Sequence, residues 1–463
     1  MTAAALIAVS TSSFAGGLLT NTNQSATFLR NPSRDAIIGI DGVYSNPAGI
    51  AFLPKGLHLS LNWQAAFQKR QITSTFPTYA LNTAHPGQST KYFEGKSTAP
   101  VIPSLQAAYV FNDRWSVSAQ FAVGGGGGKC EFDNGLASFE KLVGGQMGNT
   151  IAPGQPYTMT QNLTGEQYFY AIQVGGTYKI NQNISVFAGV RGIIANCGYE
   201  GAIRNISFGG NDAAYYAASS EQAAQAAAQY TLAGDMEKAE YFKNLATQAG
   251  TAAFLMQDYV LDCSQSGFGI QPIIGVDVNL GRLNLAAKYE FRSKIELENE
   301  SQNSANVDQA FSAYKDGGKV RSDIPALLTV GAQYSILDNV RAMAGFHYYF
   351  DKDAKGSATN VSDNTWEITL GAEWDINDKF MVSAGAQRTQ YGFADKDMSD
   401  MNFNIRSTAL CIGAAYKLND RVKFNLGYMH SFYEDHEVVS ATGMKDLYTR
   451  KNDVIGIGVD LHF

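Results

Sequence analysis

The sequence predicts an all-β protein: a transmembrane β-barrel of about fourteen antiparallel strands, closed around an N-terminal plug and carrying a helical insertion in one long loop. Three observations predict it. The first is composition. Of 463 residues only 17% are charged, 46 are Gly and 12% are aromatic, against roughly 25% charged and ~7% Gly in ordinary soluble domains. No run of about 18 apolar residues occurs, which excludes spanning by helices. The net charge of −7 leaves no basic stripe for phosphates, so nucleic acid is not an expected partner.

The second observation is alternation. Ile455, Ile457, Val459, Leu461 and Phe463 share one face of a strand, while Gly456, Gly458, Asp460 and His462 share the other. Phe424, Leu426 and Tyr428 oppose Lys423, Asn425 and Gly427; Trp366, Ile368, Leu370 and Trp374 oppose Glu367, Thr369, Gly371 and Glu373. One face is greasy and the other small or polar, the pattern of a wall with lipid on one side. Trp63, Trp115, Tyr178, Tyr289, Tyr334, Trp374 and Tyr416 fall near strand ends, where interfacial girdles belong. The third observation is a ladder of short turns alternating with long loops. The turns are at residues 111–114, 180–183, 280–282, 337–339, 376–378 and 418–420, rich in Asn, Asp and Gly that tolerate positive φ. Six turns join strands in pairs and leave one strand at each end, hence an even total of about fourteen.

Taken in chain order, residues 1–15 read as a signal-peptide remnant, apolar from Ala3 to Val9 and ending at the small-residue step Ser13-Phe14-Ala15. It implies export across the inner membrane of a Gram-negative cell. Residues 16–56 do not alternate. They are small, amide-rich and turn-broken, and a barrel this wide needs either a plug or an open lumen, so this segment is the expected hatch. Residues 57–463 form the barrel. Within it, 197–263 reads as an extracellular insertion: an Ala-rich helix from Ala213 to Tyr230, then a second helix N-capped by Asp235 and running to about Met256. Phe242, Leu245, Ala249, Ala252 and Met256 share one face of it. That face is either packed on the barrel rim or an exposed capture groove, with Phe242, Leu245 and Met256 as its candidate residues. Cys197 and Cys263 bracket the insertion, and a disulfide between them would contribute roughly 4 kcal/mol by closing a long loop. Cys130 and Cys411 complete the set of cysteines. None shows ligand spacing, so no metal is expected.

Here the sequence resembles the FadL/TodX family of outer-membrane transporters for hydrophobic compounds, and within it members from Bacteroidetes-type bacteria. The matching features are Asn46-Pro47-Ala48 after a hatch-like N-terminus, the stretch Asp323-Ile324-Pro325-Ala326-Leu327-Leu328-Thr329-Val330-Gly331, the turn ladder and the terminal Phe463. The resemblance implies a hatch-plugged barrel of fourteen strands. It also implies hydrophobic ligands captured at the extracellular face, bound inside, and released sideways beside an inward kink of the third strand. The third strand, at about Arg114 to Val123, runs into Gly124-Gly125-Gly126-Gly127-Gly128, where missing side chains favour a bend. The same run is not a nucleotide loop, since its first Gly would fall at Val123 and Cys130 stands where a Ser or Thr is needed.

Parity places Arg191, Asp277, Lys288, Glu290, Arg292, Arg341, His347, Glu367 and Glu373 inside the barrel. A fatty-acid carboxylate needs one or two cations at the end of a greasy pocket, and Arg191, Lys288 and Arg292 are the candidates. No catalytic set and no cofactor site emerges, so the expected partners are fatty acids or similar lipids and detergents, outer-membrane lipid, and the barrel-assembly machinery that reads Phe463. A monomer is expected. Two alternatives stay open: an outer-membrane lipid-modifying enzyme, which needs a Ser/His constellation at one rim, and a general porin or adhesin barrel, which needs an open water channel.

Overall fold

A computed structural model describes residues 17–356, 359–440 and 443–463; the leader-like residues 1–15 lie outside them. Fourteen strands make the wall: β1 (Gly56–Thr75), β2 (Thr90–Val110), β3 (Trp115–Phe132), β4 (Tyr157–Lys179), β5 (Ile184–Phe208), β6 (Tyr259–Asn279), β7 (Leu283–Glu290), β8 (Leu327–Leu337), β9 (Val340–Tyr349), β10 (Trp366–Asp375), β11 (Phe380–Gln390), β12 (Ser407–Asn419), β13 (Val422–Tyr433) and β14 (Lys445–His462). Each pairs antiparallel with its neighbours in sequence, and β14 pairs with β1 from His462 down to Lys445, which closes the barrel. Closure leaves neither terminal strand with a bare edge, as a sheet in lipid requires. Four short strands, Asn211–Asp212, Glu296–Ser301, Lys319–Arg321 and His436–Val439, extend the hairpins at the long-loop end.

The outward face is greasy, as the alternation requires. Leu370, Trp374, Ile455 and Ile457 are exposed, whereas Glu367, Glu373, Val454 and Asn452 are buried. Rings gather in two bands: Trp115 lies 4.7 Å from Tyr178 and Phe380 4.8 Å from Tyr416 at the short-turn end, and Tyr289 lies 4.9 Å from Phe291 and Tyr348 5.0 Å from Phe350 at the other.

The wall is uneven in height. β4 and β5 have 23 and 25 residues, β9 and β10 have 10 each. This corrects two boundaries. The insertion spans 209–258 rather than 197–263, because β5 continues to Phe208 and β6 begins at Tyr259. Above the greasy band the outward positions turn polar, as at Asn196, Glu200 and Arg204, so the strand loses its alternation while keeping its ladder. Likewise β3 does not end at Val123 but passes through the glycines to Phe132.

The insertion is a helical hairpin, Ala213–Leu232 and Met236–Leu255, N-capped by Asp212 and Asp235, whose carboxylates accept from the Tyr215 and Lys238 amides at 2.9 and 3.2 Å. The two helices pack on each other: Tyr230 stacks on Phe242 at 5.4 Å, and Ser220 Oγ donates to the Ala246 carbonyl at 2.7 Å. The expected Cys197–Cys263 bridge is absent; both thiols are free and buried. Cys197 stands opposite Gln265 and Cys263 opposite Tyr199, so the two are diagonal neighbours, about 7–8 Å apart in such a ladder, beyond the ~4 Å Cβ separation a disulfide needs.

Residues 18–53 lie inside the barrel and are nearly all buried. A line of inward-facing glycines lets them lie against the wall. Gly331 faces Gly345 across β8–β9, Gly371 faces Gly385 across β10–β11, Gly413 faces Gly427 across β12–β13, and Gly427 faces Gly456 across β13–β14. A Cβ at Gly345 would collide with Asp35, at Gly371 with Asn31, and at Gly413 and Gly427 with Arg30 and Leu29. Much of the unusual Gly content is therefore the seat of the hatch.

Candidate functional site

Charge and amides lock the hatch onto its seat. Glu373 Oε1 accepts from Arg30 at 2.8 Å and from Arg34 at 2.7 Å, while its Oε2 accepts from Arg341 Nη2 of the wall at 3.2 Å. Arg34 also reaches Asp41 at 2.7 Å. Burial pushes the Asp41 carboxyl up, but the Arg34 guanidinium outweighs that and holds it below the ordinary carboxylate range. His347 presents Nε2 to Asp35 at 2.9 Å and Nδ1 to Glu367 at 3.0 Å, an arrangement in which both ring nitrogens must donate.

Asn46-Pro47-Ala48 docks the far end of the hatch. Asn46 caps the 3-10 helix Pro47–Phe52, accepting from the Gly49 amide at 3.2 Å, and its Nδ2 donates to Asp277 on β6. The carbonyls of Pro47 and Ala48 accept from Thr177 and Ser185 at 2.9 and 2.7 Å. The short motif thus touches β4, β5 and β6 at once.

The three candidate carboxylate-binding cations do not meet at a ligand pocket. Arg191 and Lys288 both pair with Glu290, and Lys288 donates to the Tyr44 carbonyl of the hatch at 2.8 Å, its ammonium 4.1 Å from the Tyr44 ring. Both are engaged within the barrel by this one shared carboxylate, and they hold the hatch. Arg292 lies beyond the end of β7, half-buried, bonded to the Asp353 carbonyl. The capture-groove residues are also dispersed. Phe242 packs inside the hairpin, Leu245 is exposed, and Met256 is buried in the upper lumen.

What the structure does assemble is a gap in the wall. β2 and β3 pair from Val110–Ser116 to Ser104–Ala122 and again at Ser97–Cys130, but six residues of β2 (98–103) and seven of β3 (123–129) between these points are not paired with each other. On β3 the register against β4 shifts twice, and Gly126 and Gly128 have φ of 86° and 71°, conformations open to Gly alone at little cost. On β2 the gap holds Ala99-Pro100-Val101-Ile102-Pro103. Proline has no amide to give a ladder, so this edge cannot zip. Val101 points outward with 65% of its surface exposed.

The hatch takes the place of β2 on the inner side. Gly126 N donates to the Leu19 carbonyl at 3.1 Å, Asn21 N to the Gly124 carbonyl at 3.0 Å, and Asn21 Nδ2 to the Val123 carbonyl at 3.0 Å. A Cβ at Gly125 would run into the Leu19 carbonyl.

Above the hatch the lumen is greasy. One buried cluster joins both edges of the gap, Ala99 and Ile102 with Val123, to Ala66, Cys411, Met429 and Val454, and to Phe28 and Leu29 of the hatch. A larger one above it runs from Leu19 and Phe169 through Phe132, Phe403 and Ile193 to Met256. The loop segment Ala137–Glu140, continued by a π-helix over Lys141–Met147, adds Phe139, Val143 and Met147 to it. Beneath its apolar side, Glu140 accepts from Asn82 at 2.7 Å and from the Tyr157 hydroxyl at 2.8 Å, and pairs with Lys91. Among the described residues no cluster of His, Cys, Asp and Glu could hold a metal ion.

No protein-family model matches the sequence, and no curated protein matches it significantly. Solved structures do resemble it. A FadL homologue from Pseudomonas aeruginosa aligns over 97% of this chain and 100% of its own, with a TM-score of 0.66 at 13% identity. The fold is of the FadL/TodX type. The toluene transporter TbuX from Ralstonia pickettii covers 94% of this chain and 98% of its own (TM-score 0.55, 14% identity), and the toluene transporter TodX from Pseudomonas putida 96% and 99% (0.55, 14%).

Sequence reading passed over two features of this FadL/TodX-type barrel. The prolines on β2 were a legible sign of the second gap edge, since two of the chain's 11 prolines sit in one otherwise strand-like run. The role of Glu373 was not legible, because it depends on hatch arginines more than 300 positions away.

Proposed function

We propose that the chain is a passive outer-membrane transporter of hydrophobic compounds, long-chain fatty acids in particular. One observation carries the reading: the buried apolar clusters of the upper lumen end at the gap between β2 and β3, while the axial route is filled by the hatch. Ligand enters at the long-loop end, taken as extracellular, and moves onto the apolar clusters. Transfer from water stabilises it by about 25 cal/mol per Å² of apolar surface buried. It leaves sideways past Ala99, Ile102 and Val123 into the membrane once the hatch residues near Leu19 shift. That the similar structures include toluene transporters supports hydrophobic cargo without fixing its class. Phe463, exposed at the end of β14, is the feature the assembly machinery would read.

The test is uptake of labelled oleate by a host whose own transporter is deleted. Expression should give saturable uptake that persists after the membrane potential is collapsed. Folded protein in the outer membrane with uptake at the background level refutes the reading.

A further inference from the structure

The outward face of β1 is apolar from Leu57 through Leu59, Leu61 and Trp63 to Phe67, and the next outward residue is Lys69. Ten residue steps of about 3.3 Å, tilted by roughly 40°, rise about 25 Å, the height of a barrel's apolar band. Lys69 therefore stands at the level of lipid head groups at the long-loop end. Its cross-strand partners are Lys451 on β14 and Lys96 on β2. All three are exposed, in a row about 10 Å wide at the strand spacing of a sheet.

Like charges directly opposite on neighbouring strands repel, and the carboxylates nearby do little to relieve them. Among the described residues only Glu94 pairs with the row, 3.7 Å from Lys69 and 3.8 Å from Lys96, and it also accepts from Gln71 at 2.9 Å and from the Tyr92 hydroxyl at 2.8 Å. Lys451 enters no ion pair among the described residues. Asp453, one outward step below it, is bonded to His430 at 2.7 Å and to the Tyr428 hydroxyl at 2.6 Å. On β3, Glu131 stands opposite Lys96 but pairs with Lys129 at 2.6 Å, and Lys129 in turn faces Glu166. On β13 the row ends at the Phe432 ring. Three ammoniums share one carboxylate on a surface that faces lipid.

An anion held at head-group height removes the repulsion. A phosphodiester carries a single charge, and in a zwitterionic head group its own amine cancels it. A phosphomonoester carries about −1.5 to −2 near neutral pH and three acceptor oxygens, a closer match to three lysines. The row also lies beside the gap. Lys96–Glu131 is the ladder pair next above Ser97–Cys130, which bounds the gap, and the exposed Phe67 and Val101 lie below.

We infer that Lys451, Lys69 and Lys96 bind the head group of an outer-leaflet lipid bearing phosphomonoesters, whose acyl chains descend over Phe67 and Val101 across the outer mouth of the gap. This takes from the transport reading only which end of the barrel faces outside.

Native mass spectrometry of the full-length protein in dodecylmaltoside micelles, titrated with diphosphoryl lipid A or with phosphatidylcholine, tests the inference. The wild type should prefer lipid A. Each lysine near an anionic head group contributes about fivefold, so Lys69→Gln, Lys96→Gln and Lys451→Gln together should weaken lipid A roughly a hundredfold and leave phosphatidylcholine within about twofold. The three Lys→Arg changes at the same positions should keep the preference, as should Lys238→Gln, Lys243→Gln and Lys315→Gln, which remove the same charge elsewhere. Heat-modifiable gel mobility reports that each variant is a closed barrel. Equal loss in the control variant, unchanged lipid A affinity in the row variant, or displacement of lipid A by an equal concentration of inorganic phosphate overturns the inference. A wild type that holds both lipids equally overturns it too and leaves the transport reading, measured separately by oleate uptake, standing. Preference for lipid A in a protein that takes up no oleate supports the inference and refutes the transport reading.

Discussion

Zipping the gap shut should abolish uptake while leaving a folded barrel. Between the last paired residues, β3 has one residue more than β2, and β2 lacks two amides at Pro100 and Pro103. Deleting Gly127 together with Pro100→Thr and Pro103→Thr equalises the two edges and restores every donor. Each ladder bond then contributes roughly 1 kcal/mol net, enough in sum for β2 to displace the hatch segment at Leu19–Asn21 as the partner of β3. Labelled oleate uptake should fall to the level of cells lacking the protein, with heat-modifiable mobility unchanged. Uptake at the wild-type rate in a variant whose β2–β3 ladder is shown to be continuous would mean that cargo leaves by another route.

The second large effect is expected at Glu373. This one carboxylate serves Arg30, Arg34 and Arg341, and removing one partner of a buried pair typically costs about 3–5 kcal/mol because the charges left behind are uncompensated. In Glu373→Gln Arg34 keeps Asp41 and Arg341 keeps Asp375, but the buried Arg30 loses its carboxylate and the wall this ionic tie to the hatch, so the hatch should loosen from the glycine seat. Planar-bilayer recordings should then show ion conductance that the wild type lacks, approaching that of a variant without residues 17–55. Deletion of the hatch with no rise in conductance would show that something else fills the lumen.

How much of this was legible in the sequence depends on what each residue answers to. The strand count and the six turns were legible because period-two alternation against lipid and turn chemistry are both local. Boundaries failed where the wall rises above the greasy band: on β5 beyond Cys197 the outward residues become polar and the pattern vanishes, though the ladder does not. That residues 18–53 stay out of the wall was legible by their lack of alternation, the contacts that hold them inside the barrel only in part. Parity put Arg191, Lys288 and Glu373 inside, yet it could not show that Glu290 pairs with both of the first two, or that the third is the hub for arginines at the opposite end of the chain. The glycines carried two meanings that composition merges. Gly124 to Gly128 carry the register shifts and positive φ at the gap, whereas Gly345, Gly371 and Gly413 make room for residues 18–53, a role set wholly by what lies across the lumen.

Photo-crosslinking with a diazirine-bearing fatty acid in the outer membrane, followed by peptide mapping, tests the central claim most directly. If cargo leaves through the wall, crosslinks should concentrate on the two gap edges, at Ala99, Ile102 and Val123 inside and at Val101 outside. Crosslinks that instead descend past the hatch to Arg341, Glu373 and the short-turn end, with none at the gap, would place the route along the barrel axis and contradict the account.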